Sequence, residues 1–183
     1  MTLSRLEPWK RIERALYSMP DIIKEIHNAH LVICGTGSAE ATLHQIVREL
    51  KLDEYVTFAG LIRHDDVFAC IKCADVFLSL YDLSNLGNPL MEALRCGKPI
   101  ITLDVGDTKT VIDGENGIIL PVEDVDKVSE WAIKLLKDKD LADKYSKNAF
   151  KYAEKNLWTW EERMKAEIDV INDLLDKKIG RSH

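Results

Sequence analysis

The chain has 183 residues, a formal net charge of −6, 46% hydrophobic and 31% charged residues. That length holds one domain with a substantial core, in proportions ordinary for a globular protein. The acidic excess argues against wholesale binding to nucleic acid or an anionic membrane, while a local basic site for phosphate stays open.

The opening MTLSRLEPWKR carries no apolar signal core, so it does not read as a secretory leader. No apolar run approaches the ~20 residues that cross a bilayer. From there short apolar runs alternate with helical stretches. TLSRL (2–6), LVIC (31–34), YVTF (55–58), DVFLSL (75–80), PIITL (99–103) and GIIL (117–120) read as buried parallel strands. Between two of them, Ala39, Leu43, Ile46, Val47 and Leu50 mark one face of a helix over 39–50. After Leu120 the strands stop, and helices are expected over 124–137, about 139–155 and about 159–177, the last with Met164, Ile168, Ile171 and Leu175 on one side. The pattern predicts an α/β fold, a Rossmann-like three-layer α/β/α parallel sheet with a helical C-terminal tail. Cys34, Cys70, Cys73 and Cys96 read as reduced structural thiols, because Cys70-x-x-Cys73 has no second ligand pair at zinc spacing. The expected compartment is therefore cytoplasmic.

The stretch YDLSNLGNPLMEALRCGKP (81–99) is the most informative. A strand leads into a polar turn, with Asn88 as N-cap, Pro89 in the first helical position, and Gly97 as the left-handed residue that stops the helix near Arg95. A helix starting just past the carboxyl end of a central strand points N–H groups and partial positive charge into a crevice, which suits an anion. Gly87 would let backbone approach a phosphate closely. Glu92, one turn inside, would suit a sugar hydroxyl such as those of a ribose. The plainer alternative is a well-capped helix with a surface or paired carboxylate.

Other strings yield less. GTGSAE (35–40) follows a strand but has Glu40 where a dinucleotide fingerprint needs its third glycine, so a tight turn competes with a nicotinamide site. His64 precedes Asp65-Asp66, either of which could cap a helix. Trp158 and Trp160 read as packing anchors of the final helix. No metal spacing, Ser-His-Asp grouping or catalytic carboxylate pair is evident.

Several strings together resemble the C-terminal, nucleotide-sugar-binding lobe of family 4 glycosyltransferases, the "glycosyl transferases group 1" domain of GT-B enzymes. They are SRLEPWKRIERAL (4–16), LVICGTG (31–37), YVTFAGLIRHDDVFACIKCADVFLSL (55–80), PLMEALRCGKPIIT (89–102), DGENGIILPVEDVDKVSEWAIKLLKD (113–138) and NLWTWEE (156–162). The resemblance implies a retaining transferase that uses a nucleotide-diphosphate sugar as donor and neither cofactor nor metal. Arg5 and Lys10 fall where such enzymes carry the basic pair that neutralises the departing diphosphate. Glu92 matches the second glutamate of an E-x7-E motif, assigned to the ribose. Ser84, Asn85, Leu86, Gly87 and Asn88 fall in the donor and phosphate segment. Gly60, Leu61, Ile62 and Arg63 match the loop near the base, and Gly35 and Gly37 would line the cleft. Ser84 departs from the pattern, standing where the motif has its first glutamate, which meets hydroxyls of the donor sugar. Asn85 could share that task, or Asp82 could swing in. Thr110 likewise replaces a frequent glutamate.

On this resemblance, 1–157 is the nucleotide-sugar-binding domain and 158–183 the C-terminal helix of the same lobe, which in relatives crosses to an N-terminal lobe. The chain opens almost on that lobe's first strand, which predicts donor binding with little turnover alone. The implied partners are the nucleotide sugar and an N-terminal lobe, in cis or in trans, with no nucleic acid and membrane contact only through the other lobe. The acceptor would be a glycan or lipid-linked glycan. The alternatives are a non-catalytic subunit that docks a partner lobe, or another GT-B enzyme such as a sugar-nucleotide epimerase or a phosphorylase.

Overall fold

A computed structural model describes residues 1–84 and 86–179. Among these residues are six parallel strands: β1 (Thr2–Leu3), β2 (Leu31–Cys34), β3 (Val56–Gly60), β4 (Phe77–Ser79), β5 (Ile100–Leu103) and β6 (Ile118–Leu120). Seven α-helices accompany them: α1 (Glu13–Glu25), α2 (Glu40–Glu49), α3 (Val67–Lys72), α4 (Asn88–Arg95), α5 (Lys127–Lys137), α6 (Lys139–Asn156) and α7 (Trp160–Ile179). Every expected strand and helix is found. The first strand is shorter than TLSRL suggested, because the chain leaves the sheet after Leu3.

β1, β2 and β3 form one ladder, and β4, β5 and β6 another. Met1 joins them: its nitrogen donates to Val76 O at 2.7 Å, and Leu78 N donates to its carbonyl at 2.8 Å. The order across the sheet is thus β3-β2-β1-β4-β5-β6, and the winding reverses between β1 and β4. In a doubly wound sheet the loops at the carboxyl ends diverge at that reversal and leave a crevice.

Strand residues alternate between two cores, as a sheet covered on both faces requires. Leu31, Ile33, Leu78, Leu80, Ile101, Leu103, Ile118 and Leu120 pack with Leu16, Met19 and Ile22 of α1, Leu43 and Val47 of α2, and Val128, Ala132 and Leu135 of α5. Phe77 and Ile100 face the other way, onto Ile71 of α3, Leu90, Ala93 and Leu94 of α4, and Ala149 and Ala153 of α6. Each fully buried leucine or isoleucine contributes about 1.5–3 kcal/mol, so these cores hold the loops that form the crevice.

The tail corrects one expectation. Thr159 and Glu162 form a reciprocal cap, with Thr159 N donating to Glu162 Oε2 at 2.7 Å and Glu162 N to Thr159 Oγ1 at 3.2 Å. Local capping therefore starts α7. Trp158 and Trp160 do not anchor it, being 64% and 69% exposed, and Met164, Ile168, Ile171 and Leu175 also face outward. α7 leaves the sheet, so among the described residues its apolar side meets no core. No helix among the described residues is long and apolar enough to cross a membrane.

Candidate functional site

The β1 wall of the crevice is built backbone to backbone. Ser4 N donates to Cys34 O at 3.0 Å, Leu6 N to Thr36 O at 2.9 Å, and Ala39 N to Leu6 O at 2.8 Å. Gly35 and Gly37 are what allow this. A Cβ on Gly35 would lie 1.8 Å from Ser4 O, and one on Gly37 2.4 Å from Leu6 O. The glycines of GTGSAE are thus explained by close packing against the β1 loop. Gly35 N also donates to Gly60 O at 2.7 Å, tying the ends of β2 and β3 together.

Beyond Leu6 comes a short 3-10 turn, Pro8–Lys10. Asp82 N donates to Trp9 O at 3.3 Å, so the β1 loop is bonded to the segment that follows β4. The Lys10 ammonium lies 3.8 Å from the Tyr81 ring centroid and 4.2 Å from that of Trp9, and the Arg5 guanidinium lies 5.9 Å from the Trp9 ring. Arg5 and Lys10 therefore stand at the same end of the sheet as Tyr81 and the turn that leads to Gly87. Burial, and then the neighbouring Arg5 charge, pull the Lys10 pKa below its ordinary value. Two cations held this close, one partly desolvated, gain from a polyanion.

On the β4 wall, Asp82 is neutralised by Arg14 Nη2 at 2.6 Å, and Arg14 Nη1 donates to Leu80 O at 2.8 Å. Asp82 is thereby fixed, which removes it as a carboxylate that swings toward a ligand. Ser84 Oγ donates to Asp107 Oδ1 and accepts from Leu86 N at 3.1 Å. Asn85 lies outside the described residues.

α4 begins one residue earlier than expected. Gly87, in extended conformation, is its N-cap, with Asn88 and Pro89 in the first turn and no side chain capping the end. Asn88 is therefore a first-turn residue and not the cap, because Pro89 already fits the second helical position. The helix stops as the sequence suggested: Gly97 has φ +60°, Gly97 N donates to Leu94 O at 2.9 Å and Lys98 N to Ala93 O at 3.0 Å.

Glu92 is half-buried on α4. Burial raises its pKa, and the nearby His64 charge opposes the rise. His64 opens a 3-10 turn, His64–Asp66, ahead of α3, and Asp66 makes no side-chain cap there. The loop after β3 and Glu92 are thus neighbours. In that loop Ile62 packs on the same core as Leu86, while Leu61 (81% exposed) and Arg63 face outward. The structure brings Arg5, Lys10, Ser84, Leu86, Gly87, Asn88, Glu92 and the Gly60–Arg63 loop to the carboxyl ends of β1, β3 and β4. Tyr81, His64 and Asp107 join them without having been singled out as ligand contacts. The placement of Arg5 and Lys10 on rings seen only in the fold is one reason, and the pairing of Ser84 with Asp107 across 23 residues is another. Among the described residues, no group of three or more His, Cys, Asp or Glu side chains could hold a metal ion. A cavity of about 780 Å³ is lined by Met1, Leu31, Val76 and Pro99 among others, and so lies at the amino ends of the strands, away from this crevice.

The profile of the family described as glycosyl transferases group 1 matches residues 1–152. The chain belongs to that family. It is similar to poly(glycerol-phosphate) alpha-glucosyltransferase of Bacillus subtilis, with 28% identity over 98% of this chain and 28% of the relative. Its fold matches the pneumococcal O-GlcNAc transferase GtfA crystallised with UDP and GlcNAc, at a TM-score of 0.81 and 21% identity, over 95% of this chain and 35% of that one. It also matches the C-terminal domain of a glycosyl transferase group 1 family protein from Francisella tularensis, at a TM-score of 0.76 and 17% identity, over 85% of this chain and 83% of that one. The chain spans between 28% and 45% of the length of the first curated members of the family that it matches.

Proposed function

We propose that this chain is the donor-binding lobe of a retaining glycosyltransferase that moves a sugar from a nucleoside diphosphate sugar to a glycan or lipid-linked glycan, without a metal ion, in the cytoplasm. The observation that carries the reading is the convergence of Arg5, Lys10 and the open amino end of α4 on one crevice where the sheet reverses. Breaking a sugar–phosphate bond leaves negative charge on the diphosphate, and preoriented cations and N–H groups lower that barrier without an ion. Lys10 acts as a point charge and Arg5 as a planar clamp.

Gly87 supports the phosphate role by what the fold does not ask of it. Its φ of −103° suits any residue, and a Cβ there would meet only Pro89 Cδ at 3.6 Å. The need for glycine then comes from a close-approaching ligand. Glu92 accepts from the ribose hydroxyls, the Gly60–Arg63 loop approaches the base through main-chain groups, and Gly35 shapes the cleft floor. On this reading residues 1–157 form the binding domain, and α7, within the remaining stretch 158–183, reaches an N-terminal lobe. The UDP and GlcNAc crystallised with the pneumococcal neighbour of the same fold support the donor-binding reading.

A second reading is a non-catalytic subunit that docks a partner lobe, favoured by the outward apolar side of α7. Calorimetry with UDP, GDP and ADP, and with their sugar conjugates, separates the two. Binding of one nucleotide, weakened about 10- to 100-fold by Lys10→Ala or Glu92→Ala as loss of a charged hydrogen bond requires, supports the donor lobe. Binding of none supports docking. Sustained sugar transfer by this chain without another polypeptide would refute the division of labour.

A further inference from the structure

The carboxylates at this end of the sheet are not equally free. Asp82 is held by Arg14 at 2.6 Å and Asp104 by Lys109 at 2.5 Å. Asp107, three residues beyond Asp104, has no cationic partner among the described residues; the neutral hydroxyl of Ser84 donates to its Oδ1. A Cβ on its neighbour Gly106 would lie 3.4 Å from Ser84 Cα, so the loop after β5 packs directly on the loop after β4. Asp107 is exposed and sits against a segment three residues ahead of the amino end of α4.

Ser84 is already spent. Its one proton goes to Asp107 and a lone pair receives Leu86 N–H. A hydroxyl so engaged keeps at most one neutral acceptor site, while an ionised carboxylate with one donor keeps several. A carboxylate beside a diphosphate cradle repels phosphate oxygens, so the ligand part it suits must donate hydrogen bonds. Glu92 already stands by the His64 side of α4, next to the loop after β3. Asp107 stands by the loop after β5, on the other side of the helix start. A molecule with its diphosphate at α4 and its nucleoside toward Glu92 would extend its sugar toward Asp107.

We propose that Asp107, held in place by Ser84, is the charged acceptor for hydroxyls of the donor sugar and thus a specificity-determining residue. This rests on the donor-binding reading above. The charge that Ser84 cannot carry on the loop after β4 is delivered from the loop after β5. Ser84 is then a positioning residue for Asp107.

The experiment measures dissociation constants of UDP and GDP, and of UDP-glucose, UDP-N-acetylglucosamine and GDP-mannose. It uses the wild-type chain, Asp107→Ala, Asp107→Asn, Asp107→Gly, and Asp107→Gly combined with Ser84→Glu. Urea unfolding confirms that each variant is folded. For the nucleotide that binds, Asp107→Ala is expected to leave the free diphosphate within two-fold of wild type or tighter. It should weaken at least one sugar conjugate about ten-fold, the loss of a charged hydrogen bond. Asp107→Asn should behave like the alanine variant toward the sugar, and Ser84→Glu should restore the conjugate's affinity in the Asp107→Gly background. A sugar-to-diphosphate affinity ratio unchanged by Asp107→Ala for every conjugate overturns the proposal while the donor reading stands. Equal weakening of diphosphate and conjugates overturns it too, because that marks a purely structural anchor. If the wild-type chain binds no nucleoside diphosphate, both readings fall.

Discussion

Replacing Gly35 with alanine drives a methyl group into the backbone that carries Arg5. The new Cβ would lie 1.8 Å from Ser4 O and 2.9 Å from Ser4 C, at a φ of +127° that side chains rarely adopt. Reaching even 3.0 Å from that oxygen needs a displacement of about 1.2 Å (3.0 − 1.8). The β1 loop cannot yield cheaply, because Ser4 N–Cys34 O (3.0 Å) and Leu6 N–Thr36 O (2.9 Å) pin it to the same segment. Losing those two hydrogen bonds costs about 1 kcal/mol each, and the backbone strain about 1–3 kcal/mol. The sum is about 3–5 kcal/mol, or a melting temperature lower by roughly 6–20 °C for a chain of this size. Gly114→Ala is the control: its φ is +86° but a Cβ there meets nothing within 4 Å. It should cost only about 1–2 kcal/mol. Urea unfolding followed by circular dichroism reads both, and calorimetry with UDP and GDP reads the displaced Arg5 as weaker diphosphate binding. If Gly35→Ala were no less stable than Gly114→Ala, or kept wild-type diphosphate affinity, the account of this wall would be wrong.

Gly87→Ala should cost no more than about 1 kcal/mol, the loss of a weak N-cap, yet weaken diphosphate binding at least ten-fold, measured by unfolding and calorimetry on one sample. For Glu92, burial raises the folded-state pKa, so its ionised form costs stability above that pKa, and the cost fades as pH falls toward the unfolded value. Glu92→Gln should therefore be slightly more stable than wild type at pH 7 and equal to it in acid, by urea titration across pH. As pH is lowered, nucleotide affinity of the wild type should begin to drop at a higher pH than an unshifted glutamate would give, and that slope should vanish in Glu92→Gln. Burial pushes the Cys34 thiol up to about 12, whereas Cys73 is exposed. Iodoacetamide at pH 8 should modify Cys73 and leave Cys34 untouched in the native protein, read by peptide mass spectrometry, with Cys34 reacting only in urea.

Much of the site was legible because its parts are local. The Asn-Pro start and Gly97 stop of α4 are short-range backbone chemistry, and the alternation of apolar runs with helical periods is a property of neighbouring residues. The misplaced details are equally informative. Asn88 looked like a cap because asparagine favours that position, but Pro89 fits as readily one place further into the helix. Trp158 and Trp160 looked like anchors because large aromatics are usually buried, and a helix that leaves its sheet offers them nothing to bury against. Asp82 looked free because its partner, Arg14, is 68 residues away in sequence (82 − 14) and meets it only when α1 packs beside β4.

Residue order alone determined the parallel α/β architecture, the membership of the family, and which helix end opens on a crevice, since each depends on patterns a few residues long. Only the folded chain decided which charges are spent and which are free. Arg14 silences Asp82, Lys109 silences Asp104, and Asp107 faces a mere hydroxyl. Those pairings join loops from different strands, and their partners are chosen by how the sheet reverses between β1 and β4, a long-range outcome of packing that no local spacing encodes.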